Sequence, residues 1–369
     1  MTSVPTSRAA AFARDVLGVP ALPPGPVAAG AARMRSALGR LHAAMAPPPL
    51  RILEALFGML DHRVLVAICD AGVPDVLRKP TDIASLADRL HVDEVMLERL
   101  LRYSATRGWV GIDRRGRVRP TRVTAFLRRD HPGGWRAWVD FAGGDEVVSA
   151  VQALTTLADI DGFAAVNGAS FFAWMADHPE RWAIFDEAMG AGGRMHALGL
   201  ASAVEWDGTG TVCDVGGGTG HLLATLLELV PGLRGVVLDL PDVVARAVRH
   251  PRLTAVGGDA FEEVPAGCDT YLLVNVLHDW SDDDAIRLLG RVAEAAPPGA
   301  RVIVVDNEAT TVPRDRLTVS TDVLIAALTS GGRERDIPSF ARLGAAAGLR
   351  HHRSVRLPSG DLALVFDRT

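Results

Sequence analysis

The chain reads as an α/β protein, a C-terminal domain of alternating strands and helices behind a mainly helical N-terminal domain. Three observations carry this. From residue 210 onward, short apolar runs alternate with amphipathic stretches, the pattern of a mostly parallel sheet covered on both faces. Asp214-Val215-Gly216-Gly217-Gly218-Thr219-Gly220 places four glycines in five positions between an apolar run and a helical one. There the backbone can turn sharply and a ligand can lie against the main chain. Between residues 50 and 130 the apolar spacing is helical, and a length of 369 residues favours two domains.

Residues 1–48 are rich in alanine and proline and read as a partly flexible extension, with one helical piece near Ala28–Met45. Arg51–Ala71 and Leu97–Gly108 have helical periodicity, with Gly72 and Gly108 as stops. Two short helices, 82–90 and 93–104, flank His91-Val92, and Trp109–Arg122 fits a two-stranded wing. A helix-turn-helix with a wing raises nucleic-acid binding, with Arg114, Arg115, Arg117 and Arg119 as phosphate contacts. A net charge of −5 and the acids Asp93, Glu94 and Glu98 on the second helix argue against that partner. A winged helix used for packing or dimerisation fits better.

Phe171–Met175 and Phe185–Met189 are helical and apolar, as core or as ligand wall. Strands are expected at 211–215, 234–239, 253–256, 269–276, 301–306 and 361–366, and helices at 219–229, 241–249, 282–295 and 336–347. Composition is that of a protein with a core, at 48% hydrophobic and 22% charged. Cys69, Cys213 and Cys268 lie scattered in apolar stretches and suit neither a disulfide framework nor a zinc site. No run reaches the ~18 apolar residues of a membrane span, and no signal-peptide region opens the chain. A cytoplasmic protein with no membrane partner is expected.

In such sheets ligands lie beyond the carboxyl ends of the strands. Gly216, Asp239, Asp259, His278 and Asp306 all fall at predicted strand ends. Asp239 lies roughly 20 positions beyond the glycine turn, the place for a ribose-binding acid. His221 stands where a dinucleotide motif needs its last glycine, which argues against a pyrophosphate and for S-adenosylmethionine (SAM) as the nucleoside ligand. Leu277-His278-Asp279-Trp280-Ser281-Asp282-Asp283-Asp284 leaves a strand and starts a helix, with Ser281 and Asp284 placed as a capping box. His278, at the strand end, is the candidate general base.

DVGGGTG, LDLPDVV, GGDAF, LHDWSDDD and GGRERD occur in this order. As a set they resemble the SAM-dependent O-methyltransferases of the plant caffeate and acetylserotonin type and their bacterial natural-product relatives. The resemblance implies a winged-helix dimerisation domain with substrate-lid helices over 49–195 and a Rossmann-like SAM-binding domain over 196–369. It also implies a homodimer whose partner helices help to close the substrate pocket. Carried across by motif, Gly216 lies beside the methionine part of SAM, Asp239 binds the ribose, and Asp259 and Phe261 flank the adenine. Asp214, Gly218, Leu240, Ala260 and Asn275 complete the cofactor set. His278 is the base, with Asp306 and Glu334 as catalytic partners. Phe185 and Met189 stand near the methyl group, and Asp279, Trp280, Asp322 and Thr329 join them as substrate residues.

Three departures from the family pattern stand out. Val274 replaces a common lysine, Asp306 stands where many members have glutamate, and the first 48 residues are long. The implied reaction is methyl transfer from SAM to a hydroxyl of a small aromatic natural product, without a metal. A phenol near pKa 10 and a histidine near 6.5 differ by about 3.5 units, roughly 5 kcal/mol, so deprotonation accompanies attack unless the site raises His278. Competing alternatives are a SAM-binding relative catalysing hydroxylation, decarboxylation or a pericyclic step, and a winged-helix regulator with a vestigial sensing domain. A divalent-metal methyltransferase using Asp279 and Asp306-Asn307 is a further one.

Overall fold

The computed structural model describes residues 6–23, 25–156, 161–206, 210–312 and 316–368. The N-terminal part runs through α1 (Thr6–Asp15), α2 (Gly25–Met45), α3 (Pro48–Asp70), α4 (Val73–Val76), α5 (Ile83–Leu90) and α6 (Glu94–Thr106). A two-stranded antiparallel sheet follows, β1 (Val110–Ile112) with β2 (Val118–Pro120). Next come α7 (Arg122–Phe126), α8 (Arg136–Ala142), α9 (Asp145–Gln152), α10 (Gly162–Asn167), α11 (Phe171–Ala176) and the long α12 (Pro179–Ala203). Asp93 caps α6 by accepting from the Met96 N–H, which explains why that helix starts there.

The C-terminal domain contains β3 (Thr211–Val215), α13 (His221–Leu229), β4 (Arg234–Asp239), α14 (Pro241–Val244), β5 (Leu253–Gly257) and β6 (Thr270–Val274). It continues with α15 (Asp282–Ala295), β7 (Arg301–Asp306), α16 (Arg316–Leu328), α17 (Ile337–Ala346), β8 (Leu349–Arg356) and β9 (Leu362–Arg368). Its seven-stranded sheet has the order β5-β4-β3-β6-β7-β9-β8. The first five strands are parallel, and β9 and β8 close one edge antiparallel. Side-chain alternation splits the core across the sheet. Val212, Leu272, Ile303 and Val305 face α12 and α13, whereas Cys213, Tyr271, Leu273, Val302 and Val304 face α15 and α17. The strand order reverses between β3 and β6, which opens a crevice at their carboxyl ends.

Several elements differ from expectation. The segment read as partly flexible contains α1, whose Ala9 and Ala13 are buried with Leu17 and Val19 against Ala197, Leu200 and Trp206. Alanines pack closely but give little hydrophobic signal, so this anchor was invisible in the pattern. β6 ends at Val274 rather than 276, because Asn275 turns into the left-handed region at φ 54°. α14 stops after four residues. β8 was not anticipated: Leu349-Arg350-His351-His352-Arg353-Ser354-Val355-Arg356 is an edge strand whose charged outer face hides the alternation. α16 was also missed. All three cysteines are free and buried, and no described helix is long and apolar enough to cross a membrane.

Candidate active site

A cavity of about 2260 Å³ follows the carboxyl edge of the sheet, between that edge and helices α12, α16 and α2. Every expected site residue lines it except Asp306, which is wholly buried behind His278.

At the cofactor end the glycines are required by geometry. Gly216, Gly218 and Gly220 have φ of 69°, 58° and 79°, where side chains are strained. A Cβ on Gly217 would lie 2.7 Å from both Asp214 and Val237. Asp239 accepts from the Gly218 N–H at 2.7 Å and from the Leu240 N–H at 2.8 Å, so the end of β4 holds the loop that leaves β3. Burial pushes Asp214 up to about 7, with the charge of Asp239 adding to it. Asp214 Oδ2 and Asn275 Oδ1 are sealed from solvent with no hydrogen-bond partner. A glycine cradle, an acid at the end of β4 and two orphaned acceptors suit a nucleoside carrying donor groups, such as SAM. Ala260 and Phe261 line the wall beyond β5 with Leu240 and Asp259.

A buried histidine–carboxylate cluster lies one strand over. His278 Nδ1 is 3.3 Å from Asp306 Oδ1 and 3.4 Å from Glu334 Oε1, and Nε2 is 3.7 Å from Asp279 Oδ1. Burial alone would lower the imidazole, but the carboxylates of Asp306, Asp279 and Glu334 outweigh it and raise it to about 10. Burial likewise raises Asp279 to about 6 and Asp306 well above the usual carboxylate range. Nδ1 is sealed from solvent, which leaves Nε2 as the nitrogen open to the cavity. The donor atoms of His278, Asp306 and Glu334 lie within 4.8 Å of one another, close enough to gather round a cation. Asn307 turns its amide nitrogen toward Glu334 and donates to Oε1 at 2.8 Å.

The GGRERD segment fixes this loop, a role that sequence analysis did not assign to its arginines. Arg335 is buried and donates to the Leu277 and Trp280 carbonyls at 2.7 and 2.6 Å, and to Asp282 at 2.8 Å. The Arg333 N–H donates to the His278 carbonyl at 2.8 Å, and a Cβ on Gly332 would meet that same oxygen at 2.7 Å. The arginines flanking Glu334 were the available signal. Ser281 caps α15 by accepting from the Asp284 N–H, while its own hydroxyl donates to the Asp284 carboxylate, so only half of the expected capping box forms. Asp322 accepts from the Glu334 N–H at 2.8 Å, and Thr329 donates to the Ile325 carbonyl. Both therefore shape the wall as well as line it.

α12, α11 and α8 carry an aromatic wall of the cavity. Phe185 packs against Phe141 and Phe171, while Phe172 stacks on Trp280, which meets Phe261 edge-on at 4.7 Å. Asp186 was also missed. It is buried, lines the cavity, and pairs with Arg246 at 2.7 Å, tying α12 to the cofactor side.

A glycine-cradled nucleoside site at the switch point of a mostly parallel sheet, beside a buried histidine–carboxylate cluster, defines a SAM-binding small-molecule transferase. Residues 149–350 match the O-methyltransferase domain and residues 53–129 the O-methyltransferase dimerisation domain, and the chain belongs to this family. The mitomycin biosynthesis 6-O-methyltransferase of Streptomyces lavendulae is 32% identical over 345 residues, covering 88% of this chain and 95% of the relative. The structure of the mitomycin 7-O-methyltransferase MmcR is 31% identical, with a TM-score of 0.80 over 89% of this chain and all of that one (100%). The neocarzinostatin O-methyltransferase NcsB1, solved with SAM and 2-hydroxy-5-methyl naphthoic acid, is 29% identical with a TM-score of 0.71, covering 86% and 98%. The protein is a SAM-dependent O-methyltransferase, and its dimerisation domain supports a homodimer.

Proposed function

We propose that the enzyme methylates a hydroxyl of a small aromatic natural product, with His278 as general base and no metal in the transfer. One observation carries the base assignment. Two buried carboxylates flank Nδ1 at 3.3 and 3.4 Å while Nε2 is open to the cavity. Bound SAM supplies a methyl group on a sulfonium, already activated for displacement. The chain then has to align the acceptor oxygen and take its proton. Nε2 accepts that proton, and Asp306 and Glu334 stabilise the imidazolium that forms. A histidine raised to about 10 matches a phenol near pKa 10, so the transfer is close to balanced rather than uphill. The aromatic wall and the naphthoate bound to NcsB1 support a fused aromatic acceptor.

A cation held by His278 Nδ1, Asp306 and Glu334 would sit behind the ring, away from the acceptor, because Asp306 does not line the cavity. Methyl-labelled SAM and a panel of phenolic polyketides and naphthols test the reaction by mass spectrometry. Label on product oxygen, with turnover unchanged by EDTA, is the expected outcome. Substrate consumed without label transfer would overturn methylation, and loss on EDTA restored by Mg²⁺ would overturn the metal-free mechanism.

A further inference from the structure

We propose that the face of α2 turned to the cavity recognises an acidic substituent on the acceptor, a carboxylate remote from the hydroxyl that is methylated. This rests on the acceptor class proposed above. Arg33, Ser36, Ala37 and Arg40 follow the helical spacing of one face, and all four line the cavity together with Arg35. Val27, Met34, Leu38, Leu41 and Met45 form an exposed apolar stripe on the opposite side of the same helix. That stripe runs on into α3 through Leu53, Leu56 and Phe57, where the dimerisation domain begins at residue 53. A second copy seated on the stripe would hold α2 with its arginines toward the cavity.

These arginines differ from the other cationic groups of the cavity wall. The fourth arginine of the wall, Arg356, is held by Glu308. His196 is held by Asp361, and His278 by its carboxylates. His221 is pushed down to about 4 by burial and the Arg194 charge, so it is neutral. Among the described residues, Arg33, Arg35 and Arg40 face no carboxylate. A guanidinium presents a planar fork that matches a carboxylate, and small Ala32 and Ala37 leave room beside it. Asp214, Asp239 and Asp259 line the cofactor end and repel an anion there. An acidic acceptor is therefore steered with its carboxylate toward α2 and its hydroxyl toward His278.

Titration calorimetry with the S-adenosylhomocysteine-loaded full-length protein tests this, using 6-hydroxy-2-naphthoic acid and the neutral 6-hydroxy-2-naphthamide. The acid is expected to bind at least about 10-fold more tightly at low salt, with the preference shrinking as salt is added. In Arg33→Gln/Arg40→Gln the preference should vanish while the amide binds as before, and Arg33→Glu/Arg40→Glu should reverse it. Equal affinity for acid and amide in the wild type, or a preference that survives both double variants, overturns the proposal. Methyl transfer to the amide is assayed separately. Its absence alongside an intact acid preference would count against the methylation proposal and not against this one.

Discussion

His278 and His196 line the same cavity, and each faces an aspartate, Asp306 at 3.3 Å and Asp361 at 3.0 Å. Their surroundings differ. Hydrogen bonds from His196 and Ser359 outweigh the cost of burial and hold Asp361 down at about 2. The pair ties α12 to the turn that joins β8 to β9, with His196 Nδ1 the one sealed atom left without a partner. Around His278, Nδ1, both Asp306 oxygens and Glu334 Oε2 are all sealed without a hydrogen-bond partner. Such groups cost stability. Four of them kept together are a stability cost that the proton-acceptor role proposed for His278 would account for. Proximity to a carboxylate is common to both histidines, and satisfaction of that carboxylate is what separates them.

The sharpest way to break this contrast is to truncate each histidine. His278→Ala should lower kcat by about 10²–10⁴-fold with little change in SAM affinity. His196→Ala should lower kcat less than about 10-fold and act mainly on the melting temperature, through the lost tie. Equal losses of turnover in the two variants would remove the distinction.

Acidity separates the pair next. In the free enzyme the His278 imidazolium persists to about pH 10, so the base form is scarce at neutral pH. It grows about tenfold per unit as pH rises. kcat/KM should therefore climb with pH through the neutral range and level off well above 7. The profile for kcat should level off earlier, because a bound sulfonium cation disfavours a second positive charge nearby. A kcat/KM flat from pH 6 to 9 would show that His278 is not the rate-limiting base. Linkage has the opposite sign to activity here. A raised histidine contributes stability that is full below its unfolded value of 6.5 and is lost as pH rises through about 10.

The two ends of the cavity were unequally legible in the sequence. The cofactor end is read from backbone requirements, because glycines at positive φ and an acid ending β4 announce themselves in one dimension. His278 and Glu334 were legible through the LHDWSDDD and GGRERD motifs, although they lie in separate segments joined only by the fold. The tie between His196 and Asp361 was not, since nothing in Met195-His196-Ala197 or Gly360-Asp361-Leu362 signals a partner 165 positions away. The clamp made by Arg335 was hidden for the same reason, because a side chain that bonds carbonyl groups leaves no pattern in its partners. α1 and β8 escaped because alanine packing and a charged sheet edge do not alternate in hydrophobicity.

Isosteric amides give the smallest effect and the finest test. Asp361→Asn removes a carboxylate that is ionised in the native state and faces an imidazole at 3.0 Å. It should cost about 1–3 kcal/mol at neutral pH. A lowered carboxylate contributes stability that is full above its ordinary value near 3.8 and is lost as pH falls through about 2. The gap between wild type and Asp361→Asn should therefore be constant above about pH 4 and close below it. Asp306→Asn should cost less. Burial resists ionisation of Asp306, so an amide there removes a penalty that offsets the lost attraction to the His278 imidazolium, and the melting temperature should change less than in Asp361→Asn. Turnover should still fall about tenfold, because the imidazolium loses one of its two Nδ1 carboxylates. Were Asp306→Asn the more destabilising of the two, Asp306 would be the structural tie, and the unsatisfied atoms around His278 would no longer mark the catalytic histidine.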